Sequence, residues 1–327
     1  MSSLLSVARW STDDVAPEHR LEYYADALSK AIVPAYISQH PGGEFDAHMD
    51  VATLGSLSFI RQHGSEHRCF TDASSIRRSK GDSFHLILNR ATSWKVEHLG
   101  RTRCDPGDAV LVNARDVVDF DSPSGYDYLH IKLSEGWLRQ WIPAPSLLAG
   151  VRLPANAGWA RALTAFAAGL TPEFLRTSPL PLNLMVDQLG SLLALAAQDR
   201  MSAPPSRAQG AHDRVARIKE VMWQMCSSPS LTAVDVAAAV GMPLRSFHRC
   251  FTASGITFGR TLTDMRCTQA LRMLRSALHK RLTIGEIAVR SGFCDASHLS
   301  VTVRVRTGQT PTQVRREALG IGIAEEA

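Results

Sequence analysis

Leu231 to Gly241 reads LTAVDVAAAVG, and 51 residues later Leu282 to Gly292 reads LTIGEIAVRSG. Such a return of the same pattern marks a duplicated structural unit. Each copy opens on a threonine with a carboxylate three residues on, Thr232 with Asp235 and Thr283 with Glu286. That spacing is a capping box, in which hydroxyl and carboxylate accept from N–H groups that the start of a helix leaves without partners. Each copy then places an alanine, Ala237 or Ala288, where a second helix must cross closely. Each ends on a glycine, Gly241 or Gly292, suited to a turn that needs positive φ. A second helix follows, from about Pro243 and from about Asp295. Its buried faces are i, i+4 pairs, Phe247 with Phe251 and Leu299 with Val303. A short helix, a glycine turn and a second helix form the helix-turn-helix pattern. A single copy fits an ordinary αα-hairpin equally well, whereas two copies with the same caps, alanine and glycine favour DNA binding. Between them, Arg260 to Leu274 is expected to form a long helix, buried through Leu262, Met265, Ala270, Met273 and Leu274, that joins the two motifs.

Working outward, 327 residues exceed the usual single-domain size and predict two domains. Apolar residues make up 45% of the chain and charged ones 20%, enough apolar material for real cores. The net charge of +5 is unevenly placed. From His212 onward 16 Lys and Arg face 9 Asp and Glu, while the preceding residues are slightly acidic. A basic C-terminal third suggests a polyanionic partner for that part alone. The cysteines (Cys69, Cys104, Cys226, Cys250, Cys267, Cys294) show no C-x-x-C spacing. That argues against zinc and against a disulfide framework, and fits a reducing cytoplasm. The N-terminal MSSLLSVARWSTDD lacks the charged and apolar regions of a signal peptide. The stretch from Leu184 to Ala197 is too short to span a bilayer and holds Asp187 and Gln188.

Asp14 to Val33 reads as helical, stopped by Pro34. From about Phe45 to Leu133, short β-prone runs (LSFI, FHLIL, WKVEHL, AVLV, YLHIKL) alternate with Gly, Pro, Asp and Ser turns at roughly ten-residue intervals, which indicates a small sandwich or barrel. Two helices are expected behind it, Trp159 to Leu170 and Leu182 to Gln198. In the second, Leu182, Met185, Val186, Leu189, Leu192, Leu193 and Ala196 form an apolar stripe. Packing on its own barrel and service as a dimer seam are equally compatible with that stripe. SAPPSRAQG, Ser202 to Gly210, reads as a linker. The expected fold class is α+β, with a ligand-sensing and dimerisation domain over residues 1–200, a linker over 201–211, a DNA-binding domain over 212–318 and a tail over 319–327.

The region from about Val215 to Arg316 resembles the DNA-binding domain of the AraC/XylS family of bacterial regulators. Gly292-Phe293, Asp295, Ser297, Gly308, Thr310-Pro311 and Arg315 stand where that family's C-terminal signature expects them. The chain departs from it at Leu299 and Val303, where aromatic residues are usual, and at Val301, often basic. The resemblance agrees with helix geometry on the outward faces. With Phe247 and Phe251 buried, the first recognition helix shows Arg245, Ser246, His248 and Arg249, groups able to reach guanine edges or phosphates. The second shows Ala296, Ser297, Ser300, Val301 and Arg304, which suit thymine-methyl or backbone contacts more than guanine reading. The first motif is thus expected to specify sequence and the second mainly to position. Arg266, Arg272, Arg275, Lys280 and Arg281 are candidate phosphate contacts.

The β-rich front resembles, by layout, the cupin-like sensor domain found in part of the family. Family sensors of this kind bind small organic effectors and often dimerise through helices behind the barrel. Plausible cavity residues are Arg61, His63, His85, Asn89, Trp94 and His130, which combine polar tips with an aromatic wall. The histidines include no H-x-H pair, and no zinc cysteine cluster, G-x-S-x-G, P-loop or H-E-x-x-H is present, so no enzyme, metal or cofactor is expected. The resemblance implies a cytoplasmic, nucleoid-associated regulator, an activator with double-stranded DNA, RNA polymerase and a small effector as partners. It also implies a homodimer with no membrane association. The alternative is an orphan regulator whose front is only a dimerisation or protein-interaction module.

Overall fold

In the computed structural model, which describes residues 5–39, 44–79, 82–202, 209–253 and 257–319, the chain divides into two compact units, Met1–Pro205 and Ser206–Ala327. The division falls between Ser202 and Gly210. Residues 203–208 of that linker and residues 320–327 of the tail lie outside the described residues.

The first unit begins with strand β1 (Val7–Ser11), helix α1 (Arg20–Ala31), β2 (Tyr36–Gln39), β3 (Ala47–Leu54), β4 (Leu57–Gly64) and β5 (His67–Phe70). After the short helix α2 (Ala73–Arg78) come β6 (Ser83–Asn89), β7 (Trp94–Glu97), β8 (Arg101–Cys104), β9 (Ala109–Asn113), β10 (Asp119–Ser122) and β11 (Tyr126–Ser134). The remainder is helix α3 (Glu135–Trp141), strand β12 (Arg152–Leu153) and helices α4 (Gly158–Gly169), α5 (Pro172–Thr177) and α6 (Leu182–Ser202). The strands form two antiparallel sheets, ordered β1-β3-β4-β11-β6-β9-β12 and β2-β5-β10-β7-β8. The helix expected from Asp14 begins only at Arg20. Two single-turn 3-10 segments precede it, with Pro17 opening the second.

Strand alternation sorts this unit into layers. Phe84, Leu86 and Leu88 of β6 and Leu129, Ile131 and Leu133 of β11 share one core with α3, α4, α5 and α6. Ile87, Val110, Val112, Tyr126 and Tyr128 point the other way and pack with Trp94, Val96 and Phe120 of the smaller sheet. Both faces of β6 and β9 are therefore covered, and every residue of both strands is buried.

The second unit is helical: α7 (Gln209–Met225), α8 (Ala233–Ala239), α9 (Leu244–Ala253), α10 (Phe258–Arg275), α11 (Ile284–Arg290), α12 (Ala296–Thr307) and α13 (Pro311–Leu319). Helix α10 serves two cores. Leu262 and Met265 join α7, α8 and α9 around Phe247 and Phe251. Further along, Cys267, Ala270, Leu271 and Leu274 join α11, α12 and α13 around Phe293, Leu299 and Val303. One rigid rod thus carries both motifs. Among the described residues no helix is long and apolar enough to cross a membrane.

Candidate DNA interface and effector cavity

The two helix-turn-helix copies are built by the same bonds. In the first, the Thr232 N–H donates to Asp235 at 2.8 Å and the Asp235 N–H donates to the Thr232 hydroxyl at 3.3 Å. In the second, the Thr283 N–H donates to Glu286 at 2.7 Å and the Glu286 N–H to the Thr283 hydroxyl at 3.1 Å. Donation from the Thr232 hydroxyl and N–H lowers the Asp235 pKa, and donation from the Thr283 N–H and hydroxyl lowers that of Glu286. The turns match as well. Met242 N–H donates to Ala237 O at 2.9 Å, and Phe293 N–H to Ala288 O at 2.9 Å. Gly241 at φ 69° and Gly292 at φ 87° supply the left-handed residue.

The copies part at the turn's length. Helix α9 starts three residues after its glycine and α12 starts four after. Equivalent positions in the second helices are therefore 52 apart, as the fully buried pairs Phe247/Phe251 and Leu299/Val303 confirm. Arg245 then corresponds to Ser297 and Arg249 to Val301. On α9, Arg245, His248 and Arg249 are exposed and Ser246 is half-buried. On α12, Ser297, Val301 and Arg304 are exposed, while Ala296 and Ser300 are half-buried. The Ser300 hydroxyl already donates to Ala296 O at 2.7 Å. Sequence reasoning passed over Val305, which stands 74% exposed beside Val301 at 63%.

The phosphate candidates need a correction. Arg266 is buried, and its guanidinium donates to the carbonyls of Cys226 (2.9 Å), Ser228 (2.6 Å) and Pro229 (3.2 Å) beyond the end of α7. It clamps α10 to that turn and has no route to a phosphate. Arg272 lies over the Trp223 indole, 4.8 Å from the ring centre. Arg275, Lys280 and Arg281 remain exposed.

In the first unit a cavity opens between the two sheets, lined by residues of α1, α2 and strands β4, β5, β6, β9, β10 and β11. Of the residues expected there, only His85 and His130 line it. Arg61 and His63 stand on the opposite face of β4. Arg61 pairs with Asp127 at 3.1 Å, and His63 lies edge-on to His48. It is their neighbour Gln62 that reaches the cavity, donating to the Tyr24 hydroxyl at 3.2 Å. Asn89 binds the turn that follows β6, donating to the Thr92 hydroxyl at 2.7 Å and accepting from Ala91 and Asp127 N–H. Trp94 is buried beside Phe120 and Tyr128, outside the lining. The residues sequence reasoning missed are Tyr24, Gln62, His67, Tyr126 and Tyr128.

The two cavity histidines form a chain. Ser83 Oγ lies 2.8 Å from His85 Nε2, and His85 Nδ1 lies 2.5 Å from His130 Nε2. Burial, reinforced by the Lys132 ammonium, pushes His130 down to about 3. Burial, then His130 and Lys132, hold His85 well below the usual imidazole range. Both rings are neutral near pH 7. Burial likewise keeps the Tyr24, Tyr126 and Tyr128 phenols protonated. Among the described residues no group of His, Cys, Asp and Glu is arranged to hold a metal ion.

The apolar stripe of α6 is occupied within its own unit. Met185, Leu189, Leu192 and Leu193 are buried in the sheet–helix core, with Leu182 and Val186 packed at its margin. Among the described residues of α6, Leu184 is the large apolar residue left exposed, at 57%; Leu180 and Phe174, earlier in the chain, are exposed too.

The chain matches known proteins along both units. Residues 24–196, more than half the chain, match the AraC-binding-like domain, and residues 236–317 match a helix-turn-helix domain. It is 25% identical over 293 residues to the transcriptional activator NphR of Rhodococcus sp, covering 86% of this chain and 84% of that one. It is 33% identical over 136 residues to the transcriptional activator RhrA of Rhizobium meliloti (strain 1021), 42% of each chain. The crystal structure of the AraC-like transcriptional activator CuxR superposes with a TM-score of 0.52 at 17% identity, covering 81% of this chain and 95% of that one. With the sheet domain in front and the duplicated helix-turn-helix behind, the chain belongs to the AraC family of DNA-binding transcription regulators.

Proposed function

We propose that the protein is an effector-responsive transcription activator whose front unit binds a small organic molecule and whose rear unit reads duplex DNA. The observation that carries this reading is the duplicated turn. Two helix-turn-helix units with matched first-helix caps and turn glycines are fixed to one rod, and the second helix of the first unit, α9, turns Arg245, His248 and Arg249 outward. Helices so presented enter successive major grooves about one helical turn apart. Arg245 and Arg249 are the base-reading candidates. Ala296, Ser297, Ser300, Val301 and Arg304 form the second, weaker reading face, and Arg275, Lys280 and Arg281 are the phosphate candidates. The names of its relatives support activation, and hence contact with RNA polymerase. Occupation of the cavity would alter the DNA occupancy of the rear unit. A homodimer would use the apolar surface of Phe174, Leu180 and Leu184 rather than the buried stripe; Leu184→Arg should then yield a monomer in sedimentation.

Gel-shift titration of the full chain on duplexes selected from a random pool tests the reading. Affinity for selected duplexes should fall steeply between 50 and 200 mM salt, as counterion release requires. Failure to enrich any duplex would refute it.

A further inference from the structure

The cavity walls are largely apolar, and their polar groups are unevenly arranged. His85 uses both ring nitrogens, one toward Ser83 and one toward His130. His130 uses only Nε2, so its Nδ1 has no protein partner among the described residues, although the ring is 5% exposed and lines the cavity. At the same end lies Lys132, two residues along β11 from His130 and the cross-strand partner of His85. Its ammonium donates to Ile32 O at 2.7 Å and to Ala31 O at 3.4 Å, at the end of α1, and makes no ion pair within 4 Å among the described residues. Ile32 itself lines the cavity. The histidine end is therefore a neutral hydrogen-bonding nitrogen beside an amine that two carbonyls hold in place and whose pKa burial lowers.

We propose that His130 Nδ1 is the polar anchor of the effector site and receives an oxygen of a mainly apolar, non-cationic molecule. This rests on the reading of the front unit as a sensor and adds the chemistry that the site accepts. A hydroxyl, carbonyl or carboxylate oxygen accepts from Nδ1–H, with His130 Nε2 accepting from His85 Nδ1–H and His85 Nε2 from the Ser83 hydroxyl. An accepting oxygen at Nδ1 is what selects this order of tautomers, each ring protonated at Nδ1 and bare at Nε2. An ammonium ligand is disfavoured because Lys132 stands beside the same end. Tyr126, Tyr128 and Phe120 supply the wall for the ligand's apolar body.

The test uses the full chain and four probes sharing one body: 3-phenylpropan-1-ol, 3-phenylpropanoate, 3-phenylpropylammonium and propylbenzene. Affinities are read by ligand-observed NMR, and the His130 ring nitrogens are followed by ¹⁵N NMR. The alcohol or the carboxylate should bind at least tenfold tighter than the ammonium and shift the Nδ1 resonance, the two arms separating neutral from anionic effectors. His130→Phe should weaken the preferred oxygen probe about tenfold while leaving propylbenzene unchanged, and retained propylbenzene binding shows that the variant is folded. If the variant does not fold, the Nδ1 shift in the unaltered protein decides. Ammonium binding as tight as either oxygen probe, or binding of the oxygen probes without an Nδ1 shift, would overturn the anchor while leaving the sensor reading intact. Binding of none of the four would overturn both.

Discussion

The two helix-turn-helix copies share bonds and differ in what those bonds support. Both need a left-handed glycine, yet a Cβ on Gly241 would meet open space, while one on Gly292 would lie 2.2 Å from Cys226 O. The first glycine answers only to its own turn. The second also lets the turn press against the chain just beyond α7, where Arg266 gathers three carbonyls. Outward chemistry diverges too: the Arg245/Arg249 pair of α9 becomes Ser297/Val301 on α12 once the extra turn residue is counted. Local sequence similarity thus records how a motif is made, and its surroundings decide what it does.

The largest effect expected from this difference concerns the glycines. Gly292→Ala adds left-handed strain to a backbone clash and should cost about 3 kcal/mol or more, whereas Gly241→Ala should cost about 1 kcal/mol. Denaturant unfolding of the two variants measures it, and equal losses would show that the turns are energetically alike. Next is Arg266→Met, which leaves three carbonyls without their donor and should destabilise by about 2–3 kcal/mol. Arg266→Lys should recover only part, because an ammonium cannot reproduce the fork. A variant of normal stability but weakened DNA binding would return Arg266 to the phosphate contacts. Smallest are the caps. Thr232→Ala and Thr283→Ala should each cost about 1 kcal/mol and agree closely, since the two boxes have the same geometry.

What could be read from sequence was what is local. Capping boxes and glycine turns act over three to five residues, so Thr232/Asp235 and Thr283/Glu286 were legible without a fold. The face of a strand is a matter of parity, and a one-residue error exchanges inside for outside. On β4 the inward residue is Gln62, between the expected Arg61 and His63, whereas His85 and His130 have the inward parity on β6 and β11. Trp94 was legible as an inward aromatic, but not as one hidden behind Tyr128. Arg266 looked like a surface cation because its acceptors lie 37 to 40 residues earlier in the chain. Likewise the α6 stripe announced a buried face without naming its partner, which is the sheet–helix core of its own unit, with α3 and α4 against it.

The central claim, that α9 specifies the sequence and α12 positions the protein, is tested most directly by titrating Arg249→Ala and Val301→Ala on a selected duplex and on random DNA. Arg249→Ala should weaken the selected duplex by about 1–3 kcal/mol and random DNA far less, with Val301→Ala losing much less on the selected duplex. Equal losses on both DNAs for Arg249→Ala, or a larger specific loss for Val301→Ala, would contradict the account.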